Sequence, residues 1–178
     1  MPNTLIEENG KYGIDCKKAL WASDDIHAVY HDCGLPEILC DTDFAVETDD
    51  KLLLIEYKNA SIPEALAHAG ETVEYDPMQQ DKIRKIIKKY YDSLHYLRLC
   101  GKDKPIHFIF VLEYPKGDST SRKMLRNRLK KYLPFKLQDK IGAGIRLIDA
   151  VNVMNIAEWN ADENYGQFPI LPVEKLGA

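Results

Sequence analysis

Residues 40–60 read CDTDFAVETDDKLLLIEYKNA, two strand-like segments separated by Asp49-Asp50. Aspartate is common in tight turns, so this pair predicts a hairpin. With the turn at that point, residues whose numbers add to 99 lie opposite each other on two strands, Ile38–Thr48 and Lys51–Asn59. The run at 52–55 is too apolar for an exposed edge, which predicts that the second strand lies inside a sheet.

This register collects charged side chains at the open end of the hairpin. Alternate residues along a strand share a face, and directly opposed residues share it too. The side chains predicted to share the polar face are Asp41, Asp43, Glu56 and Lys58. The opposite face is apolar and suits a core; it carries Phe44, Val46, Leu53, Ile55 and Tyr57.

Asp43 opposite Glu56 is an unfavourable pairing, because like charges repel across a strand pair. A divalent cation would neutralise it: Mg²⁺ binds through one or two carboxylates, keeps several waters and takes phosphate oxygens as further ligands. Lys58 would then orient or deprotonate an attacking water, or stabilise charge on a transferring phosphate. The alternative is a solvent-exposed polar edge in which Lys58 itself balances the carboxylates.

Hydrophobic periodicity predicts the remaining elements. Strands are predicted over Ile26–His31, Ile106–Tyr114 and Ile145–Met154, helices over 81–99 and 120–133, and short helices are compatible with Ile14–Trp21 and Pro63–Ala69. The fold class is α/β: a mixed sheet with an antiparallel meander, a β-α-β crossover and helices on both faces. A single domain is expected over 1–178, with a core at 26–155 and a tail or covering segment at 159–178.

The charges are divided unevenly along the chain. Residues 82–140 hold 17 of the 24 Lys and Arg residues but 5 of the 28 Asp and Glu residues. Such a basic segment favours phosphate backbones, whereas an acidic cluster favours cations. The side chains expected to contact nucleic acid are Lys82, Lys85, Lys89, Arg122 and Arg126. The alternative is two solvated helix faces that are basic without binding a ligand.

Asp43 in CDTDF, followed by Glu56-Tyr57-Lys58 in LLLIEYKNA, resembles the motif of the PD-(D/E)xK nuclease superfamily, whose fold is restriction-endonuclease-like. The order of predicted elements after the motif matches the core of that family. The resemblance implies that Asp43 and Glu56 bind Mg²⁺ or Mn²⁺. It also implies that the backbone carbonyl of Tyr57 adds a metal ligand and that Lys58 assists the attacking water.

Two positions differ from the family's pattern. Thr42 stands where the motif has proline, a change that the family tolerates. Many members also supply a glutamate from their first helix; Glu7 and Glu8 are the candidates here, although Gly10 follows closely. The superfamily includes members without activity, so a nuclease-fold module that binds nucleic acid or a protein partner is the alternative function.

These observations predict a Mg²⁺- or Mn²⁺-dependent nuclease that hydrolyses phosphodiester bonds, with DNA as the expected nucleic acid. At 178 residues there is little room for a recognition domain, so specificity is expected from a homodimer or a protein partner. No apolar run approaches the roughly 18 residues of a membrane span, which argues against a membrane partner. Four cysteines without CxxC spacing favour a reducing, cytoplasmic location.

Overall fold

The computed structural model describes residues 4–61, 75–142 and 144–176. Eight strands lie in these ranges: β1 (Thr4–Ile6), β2 (Tyr12–Asp15), β3 (Trp21–Ser23), β4 (Phe44–Glu47), β5 (Leu52–Asn59), β6 (Ile106–Glu113), β7 (Ile148–Met154) and β8 (Ile170–Pro172). The same ranges contain five α-helices: α1 (Ile26–Asp32), α2 (Gln80–Leu99), α3 (Ser119–Lys130), α4 (Phe135–Ile141) and α5 (Ile156–Ala161). Across the described residues, no helix is long and apolar enough to cross a membrane.

A five-stranded sheet in the order β3-β4-β5-β6-β7 forms the centre of the molecule. Strand β4 is antiparallel to both β3 and β5, whereas β5, β6 and β7 run parallel to one another. Phe44 pairs with Ile55 and Val46 pairs with Leu53, which confirms the predicted hairpin register. The mixed α/β class is confirmed as well, with α2 between the parallel strands β5 and β6.

Strand β5 is the middle strand and is covered on both faces. Leu52 and Leu54 belong to a core cluster with residues of α2 and α3. Leu53 and Ile55 belong to a second cluster, which includes residues of α5 and of a small sheet in the order β1-β2-β8. Burial on both faces explains why this strand reads as a continuous apolar run rather than as an alternating pattern.

Helix α2 packs its apolar stripe on the central sheet. Ile83, Ile86, Tyr90 and Leu97 are buried along it, at the spacing of one helical face. The predicted helix at 81–99 is confirmed to within one residue. The helix ends before Gly101, whose φ of 71° is the left-handed conformation that glycine adopts without strain.

The predicted strand at Ile26–His31 is wrong, because this segment forms helix α1. Ile26 and Tyr30 are its buried residues. Positions four apart share a face in a helix and in a strand alike, so seven residues with this pattern fit both periods. The antiparallel meander therefore begins at β3, and α1 lies between β3 and β4.

The predicted strand over Ile38–Thr48 is correct only at β4. The residues before β4 bond to side chains of α2 instead of to a neighbouring strand. The N–H of Cys40 donates to Oδ2 of Asp92 at 2.8 Å, and the N–H of Thr42 donates to Oγ of Ser93 at 3.0 Å. These acceptors satisfy backbone donors that a sheet ladder would otherwise serve. They also tie the chain to α2 immediately before Asp43.

Segments near both ends of the described chain belong to the folded core, which extends beyond the predicted bounds of 26–155. The helix considered at Ile14–Trp21 is not formed, since this segment contains the end of β2 and the start of β3. The helix predicted at 120–133 ends at Lys130, and α4 follows Pro134. The described part of the predicted tail, residues 159–176, covers the central sheet, since Trp159, Tyr165 and Phe168 belong to the same core cluster as Leu53 and Ile55. The helix considered at Pro63–Ala69 lies outside the described residues.

Candidate active site

A cavity of about 320 Å³ lies beside the end of β5. Its walls come from the β4–β5 hairpin, the N-terminal half of α2 and the turn between β1 and β2. Asp43, Glu56 and Lys58 all line this cavity, so the fold brings together three of the four side chains predicted to share the polar face, without Asp41. Their meeting follows from the hairpin register, which sets the start of β4 beside the end of β5.

Asp43 lies one residue before β4 and reaches across to β5. Its Oδ2 accepts a hydrogen bond of 2.6 Å from the backbone N–H of Tyr57, just beyond the last ladder pair of the hairpin. Burial raises the pKa of Asp43, and the charge of Lys89 and the N–H of Tyr57 offset this only in part. The hydrogen bond thus fixes the orientation of the Asp43 carboxylate, and the nearby positive charge only partly offsets the effect of burial on its pKa.

Glu56 projects from β5 toward α2 and is buried there. Its two carboxylate oxygens lie 2.7 and 2.8 Å from Nζ of Lys89. Burial, and next the charge of Asp43, raise the pKa of Glu56 to about 8, although Lys89 acts against them. Lys89 therefore offsets only part of the combined effect of burial and of the Asp43 charge on Glu56.

Lys58 lies two residues beyond Glu56 on β5, on the wall of the same cavity. Its side chain is exposed. The described part of the chain offers it no hydrogen bond and no ion pair. In this structure Lys89, rather than Lys58, forms the ion pair with the Glu56 carboxylate. The alternative in which Lys58 balances the carboxylates therefore does not apply to this arrangement.

The two glutamates near the N-terminus differ in role. Glu7 is buried, and its oxygens accept hydrogen bonds of 2.8 Å from the N–H groups of Asn9 and Lys11. These contacts stabilise the β1–β2 turn and occupy the Glu7 carboxylate. Glu8 is exposed and lines the cavity. The candidate for an additional carboxylate is therefore Glu8, which lies on a hairpin turn rather than on a first helix.

The basic residues predicted to contact nucleic acid fall into two groups. Lys82, Lys85 and Lys89 lie at helical spacing on α2 and line the cavity. The guanidinium of Arg122 is instead buried and bonded to Glu158 at 2.8 Å through Nε, so it is not available to a phosphate. Arg126 lies on α3 and does not border the cavity.

Asp43 and Glu56 are the candidate ligands for a divalent ion in this cavity. Among the described residues, no group of three or more His, Cys, Asp and Glu side chains is arranged to hold a metal ion. Asp43 and Glu56 form a pair, and a pair of carboxylates is what Mg²⁺ uses when waters and substrate phosphates complete its shell. A backbone carbonyl at Tyr57 would add a third oxygen.

Sequence reasoning missed that Lys89 belongs to the carboxylate cluster. A signal was present, because Lys89 stands between Ile86 and Tyr90, which both belong to the buried stripe of α2. A lysine at such a position is half-buried beside the sheet, not on the solvent face. Its exact partner depends on how α2 is placed over β5, which no local pattern specifies.

No protein-family model matches the chain, and neither a curated protein nor a solved structure matches it. A function for the cavity has therefore to be inferred from its own residues and from the elements that carry them.

Proposed function

We propose that this chain is a Mg²⁺- or Mn²⁺-dependent phosphodiesterase of the PD-(D/E)xK type that cleaves nucleic acid, with DNA as the expected substrate. One observation carries the proposal: Asp43, Glu56 and Lys58 line one cavity, and basic residues of α2 line the same cavity. Two carboxylates, a lysine and a basic flank are the groups that hydrolysis of a charged phosphodiester requires.

The topology supports the restriction-endonuclease-like fold as part of this proposal. Three antiparallel strands, β3 to β5, lead into a helix and a parallel strand, and the motif lies on β4 and β5 within that order. The sheet is covered on both faces, and the cavity lies beside the end of β5.

The carboxylates of Asp43 and Glu56 and the carbonyl of Tyr57 would hold the divalent ion. The chemistry that such an ion supplies is polarisation of a phosphate oxygen and a lower pKa for the attacking water. The Asp43 carboxylate is held in a fixed orientation, because its Oδ2 accepts a hydrogen bond from the N–H of Tyr57. Lys58, exposed and without a partner in the described chain, orients the water or stabilises the charge that develops on the phosphate.

The basic face of α2, defined as Lys82, Lys85 and Lys89, would hold the backbone of the substrate. Contacts from lysine to phosphate oxygens fix position without reading the base sequence. Lys85 is exposed and lines the same cavity as the carboxylates. Binding of this kind is electrostatic, so it weakens as salt competes for the phosphates.

The test is Mn²⁺-dependent cleavage of single-stranded and double-stranded DNA and RNA by the full chain. Glu56→Gln removes a metal ligand and should abolish both cleavage and Mn²⁺ binding. The matched control is Glu47→Gln, because Glu47 is also a strand glutamate paired with lysine but lies away from the cavity. Wild-type protein that binds Mn²⁺ and cleaves none of the four substrates would contradict the proposed enzyme.

A binding module without catalysis is the second candidate. It is favoured by the contact of Lys89 with both oxygens of Glu56, since an internal ammonium can replace a metal permanently. Such a module would bind nucleic acid in a salt-sensitive way with no need for a divalent ion. Equal binding in Mn²⁺ and in a chelator, together with no cleavage, would favour the module over the enzyme.

A further inference from the structure

Lys89 is held within the carboxylate cluster rather than on the solvent face of α2. Its Nζ lies 2.7 Å from Oε1 and 2.8 Å from Oε2 of Glu56. Only 16% of the Lys89 side chain and 10% of the Glu56 side chain are exposed. Removing one partner of a buried ion pair is costly, because the other charge is left without compensation.

The same contact occupies the oxygens that a divalent ion would use. Both oxygens of Glu56 face one ammonium, and a divalent ion at ligand distance would repel that ammonium strongly in a partly buried site. Lys89 therefore has to leave at least one oxygen before Glu56 can bind a metal ion. The flexible four-carbon stem of lysine allows this movement without displacement of α2.

The cavity offers Lys89 a second partner once an anion is present. Lys89 borders the same space as Lys58 and Lys85. A phosphate oxygen in that space accepts a charge-assisted hydrogen bond from an ammonium as a carboxylate does. Transfer of the ammonium from Glu56 to a phosphate keeps every buried charge paired when the divalent ion arrives.

We infer that Lys89 is an exchangeable counter-ion that couples the binding of a divalent metal ion to the binding of a phosphate group in this cavity. The inference rests on the proposed function and concerns the regulation of the same site. Wild-type protein binds the metal weakly until a phosphate accepts Lys89. The coupling is reciprocal, so the metal ion tightens phosphate binding by the same factor, typically about 5- to 150-fold.

The experiment measures the affinity of the full chain for Mn²⁺ from the paramagnetic resonance signal of free Mn²⁺. The titration is run alone, with thymidine 5′-monophosphate, and with thymidine, which lacks the phosphate. The monophosphate contains no phosphodiester bond, and Mn²⁺ bound by the nucleotide itself is measured separately. We expect the affinity for Mn²⁺ to rise by at least about fivefold with the monophosphate and to stay unchanged with thymidine.

Three variants separate the role of Lys89 from direct attraction between metal and phosphate. Lys89→Gln should bind Mn²⁺ alone at least about fivefold more tightly than wild type, and should gain less from the monophosphate. Lys89→Arg keeps a cation that can hold both carboxylate oxygens, so its affinity for Mn²⁺ alone should not exceed that of wild type. Arg84→Gln is the matched control, since Arg84 is exposed on α2 and does not line this cavity; its affinity for Mn²⁺ should equal that of wild type with and without the monophosphate.

Thermal melts of the metal-free proteins come first, because Lys89→Gln leaves Glu56 without its cation. If Lys89→Gln does not fold, the comparison of Lys89→Arg with wild type for Mn²⁺ alone and the gain of wild type from the monophosphate decide the question. Wild type that binds Mn²⁺ as tightly as Lys89→Gln, with no gain from the monophosphate, overturns the inference and leaves the proposed function intact. Absence of Mn²⁺ binding in every protein and condition overturns both.

Discussion

Lys58 and Lys89 both border Glu56, but only Lys58 is without a partner in the described chain. Replacement of Lys58 by Ala should slow the chemical step about 100-fold or more, the scale of one positioned acid/base or electrostatic group. Mn²⁺ binding should stay unchanged or become tighter, because a protonated lysine is no metal ligand and repels the ion. Single-turnover cleavage and titration calorimetry with Mn²⁺ measure the two effects separately.

Lys18→Ala is a suitable control for the loss of one positive charge, because Lys18 is exposed and does not line the cavity. Its cleavage rate should equal that of wild type. A Lys58→Ala protein that also cleaves at the wild-type rate would show that Lys58 takes no part in the chemical step. That result would not bear on the proposed roles of Asp43 and Glu56 as metal ligands.

At the level of single residues, the sequence predicted those positions that depend on one hairpin. Asp43 and Glu56 came together because the turn at Asp49-Asp50 sets the register, and side chains alternate strictly along a strand. The contact of Lys89 with Glu56 joins residues 33 apart in the chain, on a helix and a strand. Periodicity places Lys89 near the buried stripe but says nothing about which strand residue it faces.

Glu47 provides a pH dependence away from the candidate active site. Burial by itself would raise the pKa of Glu47, but hydrogen bonds from Lys102 and Lys104 bring it below its ordinary value. A depressed folded-state pKa stabilises the protein above the unfolded-state pKa, and this stabilisation is lost as the pH falls through the folded-state pKa. Glu47→Gln should therefore lower stability at neutral pH and flatten the loss of stability on acidification.

Urea midpoints of wild type and Glu47→Gln between about pH 7 and pH 3 measure this contribution. The difference between the two proteins should shrink as the pH falls below the usual glutamate range. Glu163→Gln is the control, because Glu163 is exposed and makes none of these lysine contacts. A difference that stays constant across the pH range would mean that the substitution acts through packing rather than through charge.

At the level of elements, the basic face of α2 is expected to dominate binding of nucleic acid. The double variant Lys82→Glu and Lys85→Glu should weaken binding of all sequences about equally, since phosphate contacts carry no base information. The slope of log affinity against log salt should fall by about 0.9 for each duplex phosphate contact that is lost. Fluorescence anisotropy with a generic duplex over a range of salt concentrations measures both.

The matched control for α2 is the double variant Lys123→Glu and Lys130→Glu. Both residues are exposed on α3, and neither lines the cavity. The two double variants change the net charge equally, so a loss of affinity specific to α2 shows that position matters. Equal losses in both would indicate that the basic segment binds through its overall charge, without a defined face.

The elements predicted best are long ones in which a single pattern of buried residues continues along the whole element. Strand β5 and helix α2 each present a long, uniform pattern, so their bounds came out within one residue. Helix α1 was misread because seven residues do not separate a period of 2 from a period of 3.6. The segment before β4 was misread because its partners are Asp92 and Ser93, two side chains about 50 residues away on α2.

At the level of the whole molecule, the two faces of the central sheet are covered by different elements. One face packs against α2 and α3, and the basic face of α2 borders the cavity. The other face is covered by α5 and the β1-β2-β8 sheet, which joins the two ends of the described chain. The hairpin turn of that small sheet supplies Glu7 and Glu8 to the cavity wall, so the covering layer also completes the site.

Trp159 tests whether the segment after residue 155 is part of the core or an appended tail. Its side chain is fully buried, its ring stacks on Tyr165 with 5.2 Å between centroids, and its Nε1 donates to the carbonyl oxygen of Phe168 at 2.7 Å. Trp159→Ala should therefore lower the free energy of unfolding by about 3–5 kcal/mol, measured by urea denaturation. The control is Leu99→Ala at the end of α2, where 89% of the side chain is exposed and the loss should be small. Comparable stability of the two variants would mean that α5 and β8 are an optional cover, and the sheet would then have to be stable with one face exposed.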